Sequence, residues 1–434
     1  VTVERVDWGA DDVVRHLRSS PVFSHLPDDA LAEVSHGASV QLVAAGETVI
    51  EEGAVGDEAF IVIAGRLDVI TTTPDGSTQV VGALGPGDVV GEMSLITDEP
   101  RSATVRARRE SALMRIGATE FRSIVLEHPE ALLDMTRTVM RRLNRSIHDE
   151  RPDAARAVIA VLPAGARPAH FDFAALLTDV LRAENVAPEV VSAERIRRDV
   201  GEAASAADIA QYLHRVEDEN DIVVLVAESG NPDWSDLCRR HSDIALLVGF
   251  ADSLLEVGDY EFEEPAGIAS VHLVLVQGDE RPQGTVDVLE LRPHDRHHHV
   301  RHGSIDDVAR VSRIVRGVST GVVLGGGGAR GFAHLGVLRA LQEAGIPIDH
   351  LGGSSIGSAV ATAAAMADHL DEVIEMMEWV TFGQGRVTDS TFPSVAIARG
   401  RRLSSAMREA YGDIDLQDLW IECFGVSTDL TDGV

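Results

Sequence analysis

Residues Gly325-Gly326-Gly327-Gly328-Ala329-Arg330-Gly331 and Gly353-Ser354-Ser355-Ile356-Gly357 decide how the last third of this chain is read. Gly321-Val322-Val323-Leu324 ahead of the first stretch has the length and apolarity of a buried strand. Phe332, Leu335, Leu338 and Leu341 behind it recur at helical spacing until Gly345 and Pro347 stop the helix. The glycine loop therefore opens a helix, and its N–H groups, free of side chains, can donate to an anionic oxygen. The second stretch follows one strand–loop–helix unit later and reads G-x-S-x-G. In such a turn the flanking glycines permit the tight bend that presents a serine hydroxyl at a helix N-terminus. That serine is Ser355, with Gly353 and Gly357 forming the elbow and Gly326, Gly327, Gly328, Arg330 and Gly331 the oxyanion loop.

Two other readings stand beside this one. Gly326-x-Gly328-x-x-Gly331 also fits a dinucleotide fingerprint, with Asp349 near the distance of a ribose-binding acid. Both loops could also serve only to let helices pack closely on strands. A dinucleotide fold, however, gives no reason for a second strand to end in G-x-S-x-G before the small-residue helix Ser358 to Ala365.

From about residue 317 the chain resembles a patatin-like phospholipase domain, with the glycine loop matching that family's oxyanion-hole motif and Gly353 to Gly357 its nucleophile elbow. The resemblance implies a Ser–Asp dyad without histidine, so His334 is read as structural and Arg330 as an anchor of the loop. The family's aspartate lies in a D-G-G or D-G-A motif much further past the serine. Asp432-Gly433 is therefore read as a decoy, Val426 to Gly433 as the strand before the missing part, and the chain as a fragment inactive by itself.

In the first 150 residues, glycines punctuate short runs such as Ala59 to Ala64 and Arg66 to Ile70, the rhythm of a compact antiparallel β-structure. Asp75-Gly76 fits a hairpin turn, and Ala118 to Leu126 and Ala131 to Leu143 carry helical periodicity. The run Gly87 to Thr104 resembles the phosphate-binding cassette of cyclic-nucleotide-binding domains. That resemblance implies a site for cAMP or cGMP built from Gly91, Glu92, Met93, Ser94, Arg101, Ser102 and Ala103. Glu92 would accept from the ribose 2′-hydroxyl, Arg101 would pair with the cyclic phosphate and Ser102 would add a hydrogen bond.

Between these regions Asp149 to Asp153 reads as a linker, and Ala157 to Leu162, Ile222 to Val226, Ile244 to Val248 and Val271 to Val276 as continuous apolar strands of a parallel sheet covered on both faces. The loop Pro163 to Pro168 lacks a phosphate-cradling motif. Val224 to Gly230, Pro232-Asp233-Trp234, Cys238-Arg239-Arg240 and Asp243 to Gly249 resemble the P-loop-like domain of neuropathy-target-esterase-type lysophospholipases. The histidines at 294, 297, 298, 299 and 302 lack the acidic or thiolate partners of a zinc site and read as a polar loop.

The expected architecture is thus a β-roll with flanking helices over 1–148, an α/β P-loop-like domain over 149–316 and part of an α/β hydrolase domain over 317–434. The chain has 434 residues, 44% apolar content, two cysteines and a formal net charge of −32. Its length suits two or three cores, no run approaches a membrane span, and Cys238 and Cys423 suit a reducing cytoplasm. The charge argues against a nucleic-acid partner, so any membrane contact must be local. The expected function is deacylation of phospholipids or lysophospholipids, without a catalytic cofactor or metal and with a cyclic nucleotide as effector. The competing class is an inactive nucleotide-responsive regulator. Met366, Met376, Met377, Trp379 and Phe382 are the candidates for an apolar rim at the elbow.

Overall fold

The computed structural model describes residues 4–6, 14, 17–18, 23, 26–73, 76–128, 157–202, 204, 206–258, 270–278, 280–383 and 401–426. The expected helix over 131–143, the linker over 149–153 and Asp432 lie outside them. The chain divides into two compact units, the first built from 1–163, 182–246 and 262–271 and the second from 164–181, 247–261 and 272–434.

In the first unit, β1 (Glu4–Val6), β2 (Ser39–Val43), β3 (Thr48–Ile50), β4 (Glu58–Ala64), β5 (Leu67–Thr72), β6 (Thr78–Leu84), β7 (Val89–Val90), β8 (Thr104–Ala107) and β9 (Ser111–Gly117) form two antiparallel sheets. Their orders are β1-β2-β9-β4-β7 and β3-β8-β5-β6. The period-2 alternation of β4 accounts for two cores. Ala59, Ile61 and Ile63 point into the cluster with Phe23, Leu31 and Phe121, while Phe60 and Val62 point into the one with Leu67, Leu84 and Leu113. The helices α1 (Asp28–Gly37), α2 (Glu92–Thr97) and α3 (Ala118–Glu127) accompany the roll. At the β5–β6 turn, Thr73 N donates to Ser77 O at 2.8 Å and Gly76 adopts a left-handed φ of 85°.

The α/β segment then runs β10 (Ala157–Pro163), α4 (His170–Ala183), β11 (Pro188–Val191), α5 (Ala193–Asp199), α6 (Ala206–Glu219), β12 (Ile222–Val226), α7 (Pro232–Arg240) and β13 (Ile244–Phe250), the boundary between units passing within β13. Strands β11 and β10 flank β12, both parallel to it, and all of β12 is buried, as a sheet covered on both faces requires. Asn231 caps α7 by accepting from Trp234 N at 3.2 Å, with Pro232 in its first turn. The β8–β9 turn of the roll docks here. Buried Arg109 donates to Glu217 Oε2 at 2.6 Å and to the His241 carbonyl at 2.9 Å, with Asp243 3.7 Å away. Arg240 donates to Glu110 Oε2 at 2.8 Å.

The second unit contains β14 (Ser270–Gln277), α8 (Thr285–Glu290), β15 (Arg296–Arg301), α9 (Ile305–Val315), β16 (Gly321–Leu324), α10 (Ala333–Glu343), β17 (His350–Ser354), α11 (Ile356–Met366), α12 (Leu370–Glu378), α13 (Arg401–Tyr411) and β18 (Glu422–Val426). Strands β16, β17 and β18 form a parallel sheet in that order. Beneath its helices lie Leu324, Leu338, Leu351, Val360, Val373 and Met377. The loop after β10 gives its space to protein: a Cβ on Gly249 would collide with the Ala164 carbonyl, and Arg167 pairs with Asp252 at 2.7 Å.

The histidine run is a correction. His297, His298 and His299 lie in β15, not in a polar loop, and that strand pairs in parallel with β14, while His294 and His302 flank it. His298 and His299 are buried: His298 Nε2 lies 2.9 Å from His272 Nδ1, and His299 Nε2 donates to the Gln417 carbonyl at 2.8 Å. These tertiary partners make a polar strand tolerable in the interior. Among the described residues no three His, Cys, Asp or Glu side chains are grouped to hold a metal ion.

Burial lowers His272 and His299 from 6.5 to about 4 and His298 well below 6.5, with Arg296 and Arg310 adding to the effect. Folded-state values depressed below the unfolded ones mean that the unfolded chain binds more protons between pH 6.5 and 4, so stability falls as pH falls through that window. The urea midpoint should therefore drop between pH 7.5 and pH 5, and a His272→Gln/His298→Gln variant should show a flatter dependence. Equal slopes for the two proteins would contradict this account.

Candidate functional site

Ser355 has φ 53° and ψ −126°. The other positive-φ non-glycine residues among those described, Asp98 and Asn185, are small polar types that tolerate the left-handed region. Ser355 lies outside that region as well, in a conformation that costs on the order of 1–3 kcal/mol and persists only where the surroundings enforce it. The enforcement is visible. The Ser355 carbonyl accepts from Ser358 N at 3.0 Å, Ala359 N at 3.3 Å and Ser358 Oγ at 2.6 Å, locking the residue as the cap of α11. A Cβ on Gly357 would stand on the Leu324 carbonyl, so the first turn of α11 lies directly against the end of β16. The Ser355 side chain is exposed.

The glycine loop lies beside it. Gly326 N donates to Ser354 Oγ at 3.1 Å, and a Cβ on Gly326 would be 3.4 Å from Ser355 Cβ, placing the loop backbone in van der Waals reach of the serine. The loop closes in a 3-10 turn over Gly328–Phe332, where a Cβ on Gly331 would run into Ile356. His334 Nε2 donates to the Gly325 carbonyl at 2.8 Å. Arg330 contributes its backbone N–H to Gly327 O at 3.2 Å, and its side chain is exposed. His334 and Ser354 thus tie the loop by their side chains, a role the sequence reading gave to Arg330.

Asp349 is fully buried. Arg313 holds both carboxylate oxygens at 2.6–3.1 Å and Thr320 N donates at 2.9 Å, so the carboxylate is turned away from any ribose and the dinucleotide reading loses its acid. Of the expected rim, Met366 and Met377 belong to the core and Met376 and Trp379 are half-buried. Phe382 is 70% exposed and stacks on Phe332, the last residue of the loop's 3-10 turn, with 5.8 Å between ring centroids.

In the roll, Gly91, Glu92, Ser94 and Arg101 come together. Arg101 is buried and donates from Nη1 to Gly91 O at 2.6 Å and Ser94 Oγ at 2.8 Å, and from Nη2 to Glu58 O at 2.6 Å. Burial lowers its pKa, opposed by Glu58, Asp57 and Glu92. Glu92 is buried on the first turn of α2, Ala103 is half-buried, and Met93 and Ser102 are exposed. The role of Glu58 had no local signal, because its carbonyl reaches Arg101 across 43 positions.

Three family models match, in chain order: a cyclic nucleotide-binding domain over residues 40–128, the neuropathy target esterase family P-loop like domain over 156–322 and a patatin-like phospholipase over 322–433. The chain carries these three domains in that order. Curated relatives include neuropathy target esterase sws of Drosophila mojavensis, 29% identical over 89% of this chain and 29% of that protein. The Drosophila melanogaster protein of the same name is 29% identical over 89% of this chain and 31% of its own length. The chain therefore spans about three-tenths of these relatives. Among solved structures, the regulatory domain of Toxoplasma gondii PKA with cAMP is 31% identical over 28% of this chain and 46% of that one, at a TM-score of 0.26. The fold class is a β-roll of cyclic-nucleotide-binding type followed by an α/β P-loop-like domain and an α/β patatin-like domain. Among the described residues no helix is long and apolar enough to cross a membrane.

Proposed function

We propose that the chain belongs to a serine esterase that deacylates phospholipids or lysophospholipids, with Ser355 as nucleophile. The observation that carries this reading is the strained backbone of Ser355 at the junction of β17 and α11, with its hydroxyl exposed beside a loop of four glycines. Ser355 Oγ attacks the acyl carbonyl carbon while its proton passes to a carboxylate base, which the family resemblance places beyond β18. The carbonyl oxygen becomes an oxyanion and accepts from the N–H groups of the glycine loop, each such donor being worth about 2.7–4 kcal/mol. The C–O bond to the glycerol oxygen then breaks, the base returns the proton to that oxygen, and an acyl-serine remains. Water attacks it by the same route in reverse and frees the fatty acid.

Ser355→Ala in the complete protein should abolish covalent labelling by a fluorophosphonate and lower ester hydrolysis by several orders of magnitude. Labelling that survives Ser355→Ala would end the assignment. Wild-type protein that neither labels nor hydrolyses esters would favour the regulator.

The roll is read as a sensor of cAMP or cGMP, on the ground that the Arg101 guanidinium reaches Gly91 O and Ser94 Oγ and interacts with the Glu92 carboxylate at the start of α2. A cyclic phosphate would draw on the Arg101 guanidinium now spent on backbone carbonyls and Ser94. Calorimetry on the chain with either nucleotide should register binding that Arg101→Ala weakens by roughly tenfold to a hundredfold, the value of a charge-assisted contact of about 1.5–3 kcal/mol. No heat at millimolar nucleotide would mark the roll as a structural module.

A further inference from the structure

Helix α13 carries a stripe that the catalytic reading leaves unused. Arg401, Ser404, Ser405 and Arg408 stand at i, i+3, i+4 and i+7, one face of a helix, with the two guanidinium-bearing residues about 10 Å apart along the axis. All four are exposed, and with Glu409 they line one open, shallow depression on the surface of α13. Ala406 on the opposite side of α13 is buried, and Tyr411, three positions after Arg408 on the flank of the stripe, donates from Oη to the Ala359 carbonyl at 2.9 Å, in the first turn of the helix that Ser355 opens. The helix also packs against the turn Trp379–Gly383, which carries the exposed Phe382 stacked on the glycine loop's Phe332. Two cationic forks with two hydroxyls between them, and the Glu409 carboxylate at their edge, form a locally cationic patch in a chain of net charge −32.

We propose that the Arg401–Ser404–Ser405–Arg408 face of α13 binds the phosphate of a phospholipid headgroup at a membrane surface. The stripe thereby presents the lipid to the Ser355 side of the domain. This rests on the reading of Ser355 as a lipid-ester nucleophile for its purpose, though not for its chemistry. Guanidinium groups pair with phosphate oxygens through parallel N–H donors, the hydroxyls supply neutral donors between them, and Phe382 with Phe332 offers an apolar surface on which the glycerol backbone and the first acyl carbons rest. A zwitterionic headgroup carries the same phosphate with a compensating cation, so the preference should favour headgroups of net negative charge.

Vesicle co-sedimentation of the full chain tests this, using phosphatidylcholine alone and phosphatidylcholine with phosphatidic acid at physiological salt. Wild type should partition onto the phosphatidic acid vesicles, and Arg401→Gln/Arg408→Gln should weaken that partition by roughly thirtyfold, each arginine near an anionic surface contributing about fivefold. Arg401→Lys/Arg408→Lys should retain only part of it, since an ammonium keeps the charge and loses the parallel donors, and the exposed positions leave folding unaltered, as a thermal melt will verify. Equal partition of wild type and the double glutamine variant, or no partition of wild type, would overturn the proposal. Full competition by millimolar inorganic phosphate or glycerol 3-phosphate would also overturn it, assigning the stripe to a soluble phosphate. Ser355→Ala should bind vesicles as wild type does, so a failed Ser355 assignment would leave this result standing and separately readable.

Discussion

The close approach of α11 to the end of β16 is the constraint on which the patatin-like part of this molecule depends. With a hydrogen at position 357, the first turn of α11 lies on the Leu324 carbonyl, and the chain must turn from β17 into that helix within one residue. That residue is Ser355, and its backbone takes up the bend at φ 53° and ψ −126°. Any side chain at 357 would push the helix off the strand, relax the turn and move the hydroxyl away from the glycine loop. The loop is subject to the same constraint, because Gly331 leaves room for Ile356. Ser355 and the N–H groups of the glycine loop are therefore positioned by one packing event.

Around this centre, buried polar contacts join the parts of each unit. In the first unit Arg109 bridges the roll to Glu217 and Asp243 of the α/β segment. Such an ion pair adds little net stability over apolar packing of the same volume, but leaving one partner alone costs about 3–5 kcal/mol. In the second unit, β15 and α8 reach the segment before β18: His299 donates to Gln417 O, Arg301 lies over Trp420 at 3.9 Å, and Thr285 N donates to Asp418 at 2.9 Å. They act as register marks that fix how one element meets the next. Strand β8 connects the Arg101 region directly to the Arg109 turn, so a change at the cassette has a short covalent route to this contact.

The sequence made the glycine loop and the elbow legible because both signals are local: a few glycines at fixed spacing demand a particular turn. The roll was legible through its glycine punctuation, and β10, β12, β13 and β14 through continuous apolar runs. The histidine strand was not, since Arg296 to Arg301 has no apolar alternation and owes its burial to His272, Gln277 and Gln417, partners that only the tertiary fold supplies. Strand β11, four residues long and opening on Pro188, was too short to stand out. His334 was identified as structural without its contact, because a histidine one turn into a helix does not announce which carbonyl it will reach. Arg101 could be singled out from its neighbours in the chain, whereas its engagement with Glu58 depends on β4 folding across it.

The most direct test of this account is a crystal structure of the protein after phosphonylation by a fluorophosphonate. The account predicts an adduct on Ser355 Oγ, a Ser355 φ that remains positive, and a phosphonyl oxygen about 2.7–3.1 Å from N–H groups of the Gly326 to Gly328 loop. An adduct whose oxygen faces solvent away from that loop, or a Ser355 backbone relaxed to negative φ, would contradict it.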